Sequence, residues 1–190
     1  MEQSIKFIIS LICLLLAAGF YFVALATSYW SVGRLLIFGL WQYCYVSVET
    51  VIVKNWKCHP NNTDFTMSAQ IFSILAVMCY LVAFLLFMIS AFIPSKNKSR
   101  PVIMTICLLT FCIVSLQIMS MVVFAVKINE YFRKIQNKHF ENEFETVTIS
   151  WSFVIGIVSN VICTVSGVCI FVDLRNLAID ELDGLNDLNA

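Results

Sequence analysis

Residue types that carry out catalysis or bind metals are scarce in this chain. The two histidines, His59 and His139, have no second histidine or carboxylate at the spacing of a metal site. No nucleophile elbow, phosphate-binding loop or dinucleotide-binding fingerprint occurs in the sequence. These observations predict a protein that is not an enzyme and that uses no metal or other cofactor.

The cysteines carry a clearer chemical signal. Six of the eight fall in long apolar segments, where a thiol usually acts as a small packing side chain: Cys13, Cys79, Cys107, Cys112, Cys163 and Cys169. Cys44 and Cys58 lie outside these segments and share one interval of the chain. The pair predicts a disulfide, which persists in an oxidising compartment. Two unrelated free thiols are the alternative.

A glycosylation triplet, Asn61-Asn62-Thr63, follows Cys58 closely and predicts a glycan on Asn61. Such triplets also occur by chance, and Asn97-Lys98-Ser99 is a second one. Together the cysteine pair and the Asn61 triplet predict that residues 27–68 lie outside the cell.

Membrane-spanning segments must position these residues. The chain is 60% hydrophobic and 13% charged, with a mean hydropathy of +0.87, whereas soluble domains carry about 25% charged residues. Four segments free of Asp, Glu, Lys, Arg and His have the roughly 20 residues that a spanning helix needs: 7–26, 69–93, 102–126 and 151–172. Each is predicted to be a helix, because backbone groups in lipid must bond within their own segment.

The first segment has a second interpretation. Lys6, the apolar stretch and Ala24-Leu25-Ala26 resemble a cleavable signal peptide, but the stretch exceeds the usual core of about 7–15 residues. We therefore expect it to be retained as a span.

Four spans place both termini on one side of the membrane. With cytosolic termini, five basic residues lie on the cytosolic side and seven outside, so the overall count does not favour this orientation. The tightest basic cluster, Lys96–Arg100, does favour a cytosolic middle loop. We expect a single domain with extracellular loops at 27–68 and 127–150. The middle loop, 94–101, and the tail, 173–190, are then cytosolic.

The first loop contains strand-like sequence. Tyr45–Val53 is rich in β-branched residues with partial polar alternation, and Leu35–Tyr43 is similar but broken by Gly39. We predict a small antiparallel sheet held together by the Cys44–Cys58 bridge.

One pattern in this loop resembles a known family. Trp30, then Gly39-Leu40-Trp41, then Cys44 and Cys58 resemble the W–GLW–C–C signature of the claudin and peripheral myelin protein superfamily. The four spans, long first loop and short basic middle loop follow the same plan. The resemblance implies an all-α transmembrane four-helix bundle under a small extracellular antiparallel β-sheet, with Phe144–Ile149 as a strand from the second loop.

Two differences from the claudins indicate which branch of the superfamily the chain resembles. Only residues 59–68, without arginine, separate Cys58 from the second span, and the C-terminus is not a hydrophobic PDZ-binding tail. The chain is therefore more similar to the epithelial membrane protein and PERP-like branch than to claudins proper, which puts a tight-junction pore in doubt.

Several uncharged residues in the spans are candidates for helix packing. Gln117 and Asn160 are polar, and Ser159, Cys163 and Gly167 are small residues at four-residue spacing on the fourth span. We expect them to pack within the bundle; homodimerisation or partner recognition is the alternative.

Function is then expected to depend on contacts. Tyr43, Tyr45 and Trp56 are the candidate contact residues, and Trp30 and Trp41 are expected to be buried supports. The prediction is a structural or adhesive plasma-membrane protein at cell–cell contacts, or one that organises the membrane; the alternative is a regulatory subunit of a channel or other membrane protein. Expected partners are other membrane proteins, possible copies of itself in cis or trans, and the bilayer. Balanced charge predicts no nucleic acid binding.

Overall fold

Four helices dominate the structure. The computed structural model describes residues 2–33, 36–47, 55–92, 100–139 and 148–188. The helices are α1 (Glu2–Ala26), α2 (Asp64–Phe92), α3 (Arg100–His139) and α4 (Trp151–Leu188). Each contains a segment long and apolar enough to cross a membrane: Ile8–Ala26, Asp64–Ser90, Pro101–Phe132 and Trp151–Asn176.

The helices extend beyond the segments predicted from hydropathy. Helix α2 begins at Asp64 instead of residue 69, α3 continues past residue 126 to His139, and α4 continues past residue 172 to Leu188. Hydropathy reports where the chain meets lipid, and a helix can continue into water without an apolar sequence. With 40 residues and a rise of about 1.5 Å per residue, α3 is about 60 Å long. It therefore projects beyond a hydrocarbon core of about 30 Å.

The helices form two closely packed pairs. Helix α1 packs along α4, α2 packs along α3, and α3 joins the pairs through α4, whereas α1 and α2 have few contacts. Hydroxyl groups spaced seven residues apart on α4 bond to α1 and to the residue that follows it: Ser166 Oγ with Ser10 O (2.9 Å), Ser159 Oγ with Ala17 O (2.7 Å) and Ser152 Oγ with Thr27 Oγ1 (2.7 Å). On the other pair, Ser73 Oγ and Ser120 Oγ are 2.8 Å apart.

A five-stranded antiparallel sheet lies at one end of the bundle. Its strands are β1 (Ser31–Val32), β2 (Leu36–Phe38), β3 (Gln42–Ser47), β4 (Asn55–Pro60) and β5 (Thr148–Ile149). Their order across the sheet is β4-β3-β2-β1-β5, with every described pair antiparallel. The fold class expected from the sequence, a four-helix membrane bundle with a small antiparallel sheet, is confirmed.

The strand boundaries differ from those expected. The predicted strand Leu35–Tyr43 is divided between β2 and β3, because the chain turns at Gly39, whose N–H donates to Gln42 O (2.9 Å). A Cβ at Gly39 would lie 2.5 Å from Ser28 Cα, so this close approach requires glycine.

Two other predicted strands are described in part. The strand expected at Tyr45–Val53 corresponds to the end of β3, and residues 48–53 lie outside the described part of the chain. Of the predicted Phe144–Ile149, Thr148–Ile149 forms β5, and residues 144–147 are outside it too. Strands β1 and β4 were not expected from the sequence, because both are short or polar and lack a strand pattern.

Candidate functional site: the first-loop sheet

A disulfide links β4, at one end of the described sheet, to the neighbouring strand β3. Cys44 on β3 and Cys58 on β4 are bonded, face each other across the ladder and have Cα atoms 4.0 Å apart. The predicted disulfide is confirmed, and the alternative of two free thiols is wrong. Closing a loop with a sequence separation of 14 is worth about 3 kcal/mol on a chain-entropy estimate. The bridge therefore fixes β4 against β3.

Trp30 joins the sheet to the bundle. Its side chain is 1% exposed, and its ring meets Phe124 of α3 and Phe153 of α4 edge-on, at centroid distances of 5.0 and 5.8 Å. Phe38 of β2 is equally buried and contacts Tyr131 of α3, with centroids 5.7 Å apart. Leu40 is fully buried as well. Thus the side of the sheet that faces the bundle continues the hydrophobic core of the helices.

The two tryptophans of the signature also cap α1. The last carbonyl groups of a helix have no partner within the helix. Trp30 Nε1 donates to Ala24 O (2.7 Å) and Trp41 Nε1 donates to Leu25 O (2.9 Å), while Thr27 Oγ1 donates to Val23 O (2.9 Å). Three consecutive carbonyls in the final turn of α1 are therefore satisfied by side chains from the chain that follows it. Both indole N–H groups therefore help to cap α1, although one ring is buried and the other is exposed.

The prediction that Trp41 is a buried support is wrong. Its side chain is 42% exposed, although its N–H is held by Leu25. Leu40 and Trp41 are neighbours in the turn between β2 and β3, and the turn directs Leu40 inward and the Trp41 ring outward. The ring borders an apolar groove of about 330 Å³ between α1 and α2, which is lined by Phe22, Leu25, Ala26, Trp41, Ile74, Val77 and Met78.

Asn61 is part of the junction between the sheet and α2. It is 1% exposed, and its Nδ2, the atom to which a glycan is attached, donates to Gly39 O (3.0 Å). Its Oδ1 accepts from Thr63 Oγ1 and Thr66 Oγ1, both at 3.2 Å, and its backbone N–H donates to Trp41 O (2.8 Å). The prediction of a glycan on Asn61 therefore conflicts with the structure, because the attachment atom is buried and already bonded.

The aromatic residues of β3 and β4 form a row that becomes more exposed away from the bundle. Phe38 stacks on Tyr43 (5.5 Å between centroids), Tyr43 on Tyr45 (6.4 Å) and Tyr45 on His59 (5.6 Å, rings 10° from parallel). Tyr45 and His59 are exposed, and Tyr43 is half-buried. His59 was not among the contact residues predicted from the sequence. The signal was available, because pairing Cys44 with Cys58 places Tyr43 opposite His59.

Trp56 lies on the opposite face of the same two strands. It pairs with Val46, which alternates with Tyr45 along β3, and it is 47% exposed. Strand β4 is at one end of the described sheet, and its residues from Trp56 to Pro60 are all exposed. Edge strands present backbone groups that can pair with another chain. The candidate contacts therefore lie on the two strands nearest this edge, with Tyr43 and Tyr45 on one face and Trp56 on the other.

The candidate packing residues of the spans all contact other helices of the same bundle. Ser159 bonds to α1, Asn160 Nδ2 donates to Val114 O of α3 (3.3 Å), and Gln117 Nε2 donates to Tyr80 Oη of α2 (3.2 Å). Cys163 is fully buried, and a Cβ at Gly167 would lie 3.0 Å from Thr110 Oγ1 of α3. These small residues allow close approach within the bundle, so their packing surface is already occupied.

Comparison with known families agrees with this architecture. A sequence profile of the PMP-22/EMP/MP20/Claudin family matches residues 3–170, which include the sheet, the first three spans and most of the fourth. The chain belongs to this family. No individual curated protein gives a significant match. Membership in the PMP-22/EMP/MP20/Claudin family confirms the superfamily predicted from the first loop, and the chain is a multi-pass membrane protein.

One feature of this PMP-22/EMP/MP20/Claudin family member is the direct connection from the sheet to the second span. Strand β4 ends at Pro60 and α2 begins at Asp64, so residues 61–63 alone separate them. This interval has no room for an additional helix. Within the described residues, no group of three His, Cys, Asp or Glu side chains is placed to hold a metal ion.

Proposed function

We propose that this protein is a structural or adhesive tetraspan of the plasma membrane that acts at cell–cell contacts or organises the membrane, and that the first-loop sheet is its binding surface. The observation that carries the proposal is the exposure of Tyr45, Trp56 and His59 on two strands that the disulfide joins to each other. Tyrosine and tryptophan are among the residues most often found as interface anchors.

Rigidity of the sheet supports this role. A surface that is already ordered loses less conformational freedom on association, so more of the contact energy contributes to affinity. Strand β4 is held to β3 by six residue pairs and the disulfide. A partner can add a strand at this edge while side chains on the two faces supply specificity.

We further propose that the sheet is extracellular and that both termini are cytosolic. The disulfide supports an oxidising compartment for the sheet. The basic cluster Lys96–Arg100, which lies between α2 and α3 in the sequence, supports a cytosolic middle loop.

The branch of the family is also a proposal. The short connection between β4 and α2 supports the epithelial membrane protein and PERP-like branch rather than the claudins proper. The proposed role is therefore in adhesion or membrane organisation, and does not include a paracellular pore.

The test replaces two exposed aromatic residues of the strands in one variant, Tyr45→Ala/Trp56→Ala. A matched control is Tyr29→Ala/Trp151→Ala, which removes another exposed Tyr and Trp, stacked 5.8 Å apart at the start of α4. Both variants are scored for surface biotinylation and for enrichment at contacts between expressing cells. We expect normal surface levels in both and loss of enrichment in the sheet variant.

Other outcomes separate the competing functions. Normal enrichment of the sheet variant, with loss in the control, would contradict a binding sheet. Stoichiometric co-purification of a pore-forming protein that is unaffected by the sheet variant would instead support a regulatory subunit that binds through its helices.

A further inference from the structure

Helices α1 and α2 leave a groove between them that is open to the membrane. The two helices have few direct contacts, and the groove of about 330 Å³ lies where α1 ends and the chain enters the sheet. Phe22 and Ala26 of α1 border it on one side, and Ile74 and Met78 of α2 border it on the other. These four side chains are exposed and belong to the spans, so lipid hydrocarbon surrounds the groove.

The two walls of the groove run along the helix axes. Phe22 and Ala26 are four residues apart, as are Ile74 and Met78, and residues at this spacing lie above one another on one face of a helix. The spans and the acyl chains of lipids both extend across the hydrocarbon layer. A chain in the groove therefore keeps the direction that it has in the bilayer.

The lining of the groove favours a ligand that is pure hydrocarbon at this depth. Among the described residues, Trp41 is the only lining side chain with a nitrogen or oxygen atom, and its Nε1 already donates to Leu25 O (2.9 Å). A hydroxyl or amide group in the groove would lose its bonds to water without gaining a partner, which is costly. A hydrocarbon chain has no such cost, because it leaves a medium that is equally apolar.

We propose that the groove binds an acyl chain of a phospholipid from the leaflet on the sheet side of the membrane. The chain packs against both helices and against the Trp41 ring, which its bond to Leu25 O holds in place. The walls of an unfilled void lose dispersion contacts, so the bound chain restores contacts that α1 and α2 do not make with each other. The site does not depend on the proposed role of the sheet in contacts between cells.

Photolabelling in nanodiscs tests where the acyl chain lies. The discs contain phosphatidylcholine, a small part of which has a diazirine in its acyl chain, and labelled peptides are mapped by mass spectrometry. We expect the segments of α1 and α2 that line the groove to be labelled several-fold more than other lipid-exposed segments. Ile74→Trp fills the groove and should abolish this excess. The matched control, Ile89→Trp, places the same ring at an equally exposed position of α2 outside the groove.

Retention of lipid after detergent extraction provides a second readout. Native mass spectrometry should find a bound phospholipid in the unmodified protein and in Ile89→Trp. It should find none in Ile74→Trp or in Met78→Trp, which fills the groove from the next turn of α2.

Three results would overturn the proposal. Even labelling of all lipid-exposed segments, with equal retention in Ile74→Trp and Ile89→Trp, would show that the groove contains only bulk lipid. A photoreactive sterol that labels the groove and displaces phosphatidylcholine would assign it to a sterol. Crosslinks from a photoreactive residue at position 78 to another protein chain would assign it to a partner helix or a second copy.

Discussion

The first-loop segment uses the same residue types for two purposes, as buried supports and as exposed side chains. Trp30, Phe38 and Leu40 are buried against the helices, whereas Trp41, Tyr45 and Trp56 are exposed. Trp30 and Trp41 make the comparison sharpest, because both donate an indole N–H to neighbouring carbonyls at the end of α1. Anchoring and burial are therefore separate properties, and an anchored aromatic ring can still be presented to a partner or to lipid.

This difference indicates how a small sheet can act as a binding surface. A sheet of short strands has little core of its own. Here the bundle supplies the core beneath β1 and β2, and the disulfide extends that order to β4. Changes at the buried residues should therefore affect folding, and changes at the exposed aromatic residues should affect contacts.

The largest effect is expected at Trp30. Trp30→Ala removes a buried ring that contacts α3 and α4 and also uncaps Ala24 O, and should destabilise the protein by about 3–5 kcal/mol. Thermal or denaturant unfolding in detergent measures the change, and surface biotinylation should report retention inside the cell. Trp30→Phe is the control that keeps an aromatic ring. If Trp30→Ala destabilises the protein no more than Trp41→Ala does, the distinction between buried and exposed residues is contradicted.

The disulfide should have the next largest effect. Cys44→Ser frees β4 from β3 and should cost about 2–5 kcal/mol, with reduced surface delivery. Cys112→Ser, which removes an exposed free thiol in α3, is the matched control. Equal stability of the two variants would show that the order of β4 does not depend on the bridge.

Variants of Asn61 test whether its side-chain amide is structural or carries a glycan. Asn61→Ala leaves Gly39 O without its side-chain donor and should cost about 1–3 kcal/mol. Glycosidase treatment of the unmodified protein should not change its mobility on a gel. A mobility shift that disappears in Asn61→Gln would show that Asn61 carries a glycan and that the buried geometry is incorrect.

The smallest effect is expected for Trp41→Phe. This change keeps an exposed ring and removes the bond to Leu25 O, so it should cost about 0.5–1.5 kcal/mol and leave surface expression normal. Thermal midpoints of Trp41→Phe and Trp30→Phe, measured side by side, compare the two caps of α1. A larger loss at Trp41 than at Trp30 would reverse the proposed order.

The sequence predicts those parts of the fold that follow from composition or from the two cysteines outside the spans. The spans follow from long uncharged segments, and the disulfide follows from two cysteines outside those segments. Strand β4 could not be found, because Asn55–Pro60 is polar and takes its position from the bridge to β3. His59 became recognisable as part of the aromatic row once the register of that pairing was fixed.

The roles of Asn61 and Trp41 could not be predicted for a different reason. Asn61 bonds to Gly39 O and Trp41 bonds to Leu25 O, and both acceptors are backbone atoms distant in sequence. Every residue type has a backbone carbonyl, so the residue type of the acceptor does not indicate these contacts. The glycosylation triplet describes a local sequence, whereas the fold buries the same amide.

The most direct test of a binding sheet is photo-crosslinking in intact cells that form contacts. A photoreactive amino acid is placed at Tyr45, on the exposed row of β3, or at Tyr29, an equally exposed position near α4. The account predicts a discrete protein crosslink from position 45 in contacting cells, its loss in dispersed cells, and none from position 29. Crosslinks from position 29 with none from position 45 would contradict the claim that the exposed aromatic residues of the sheet form the binding surface.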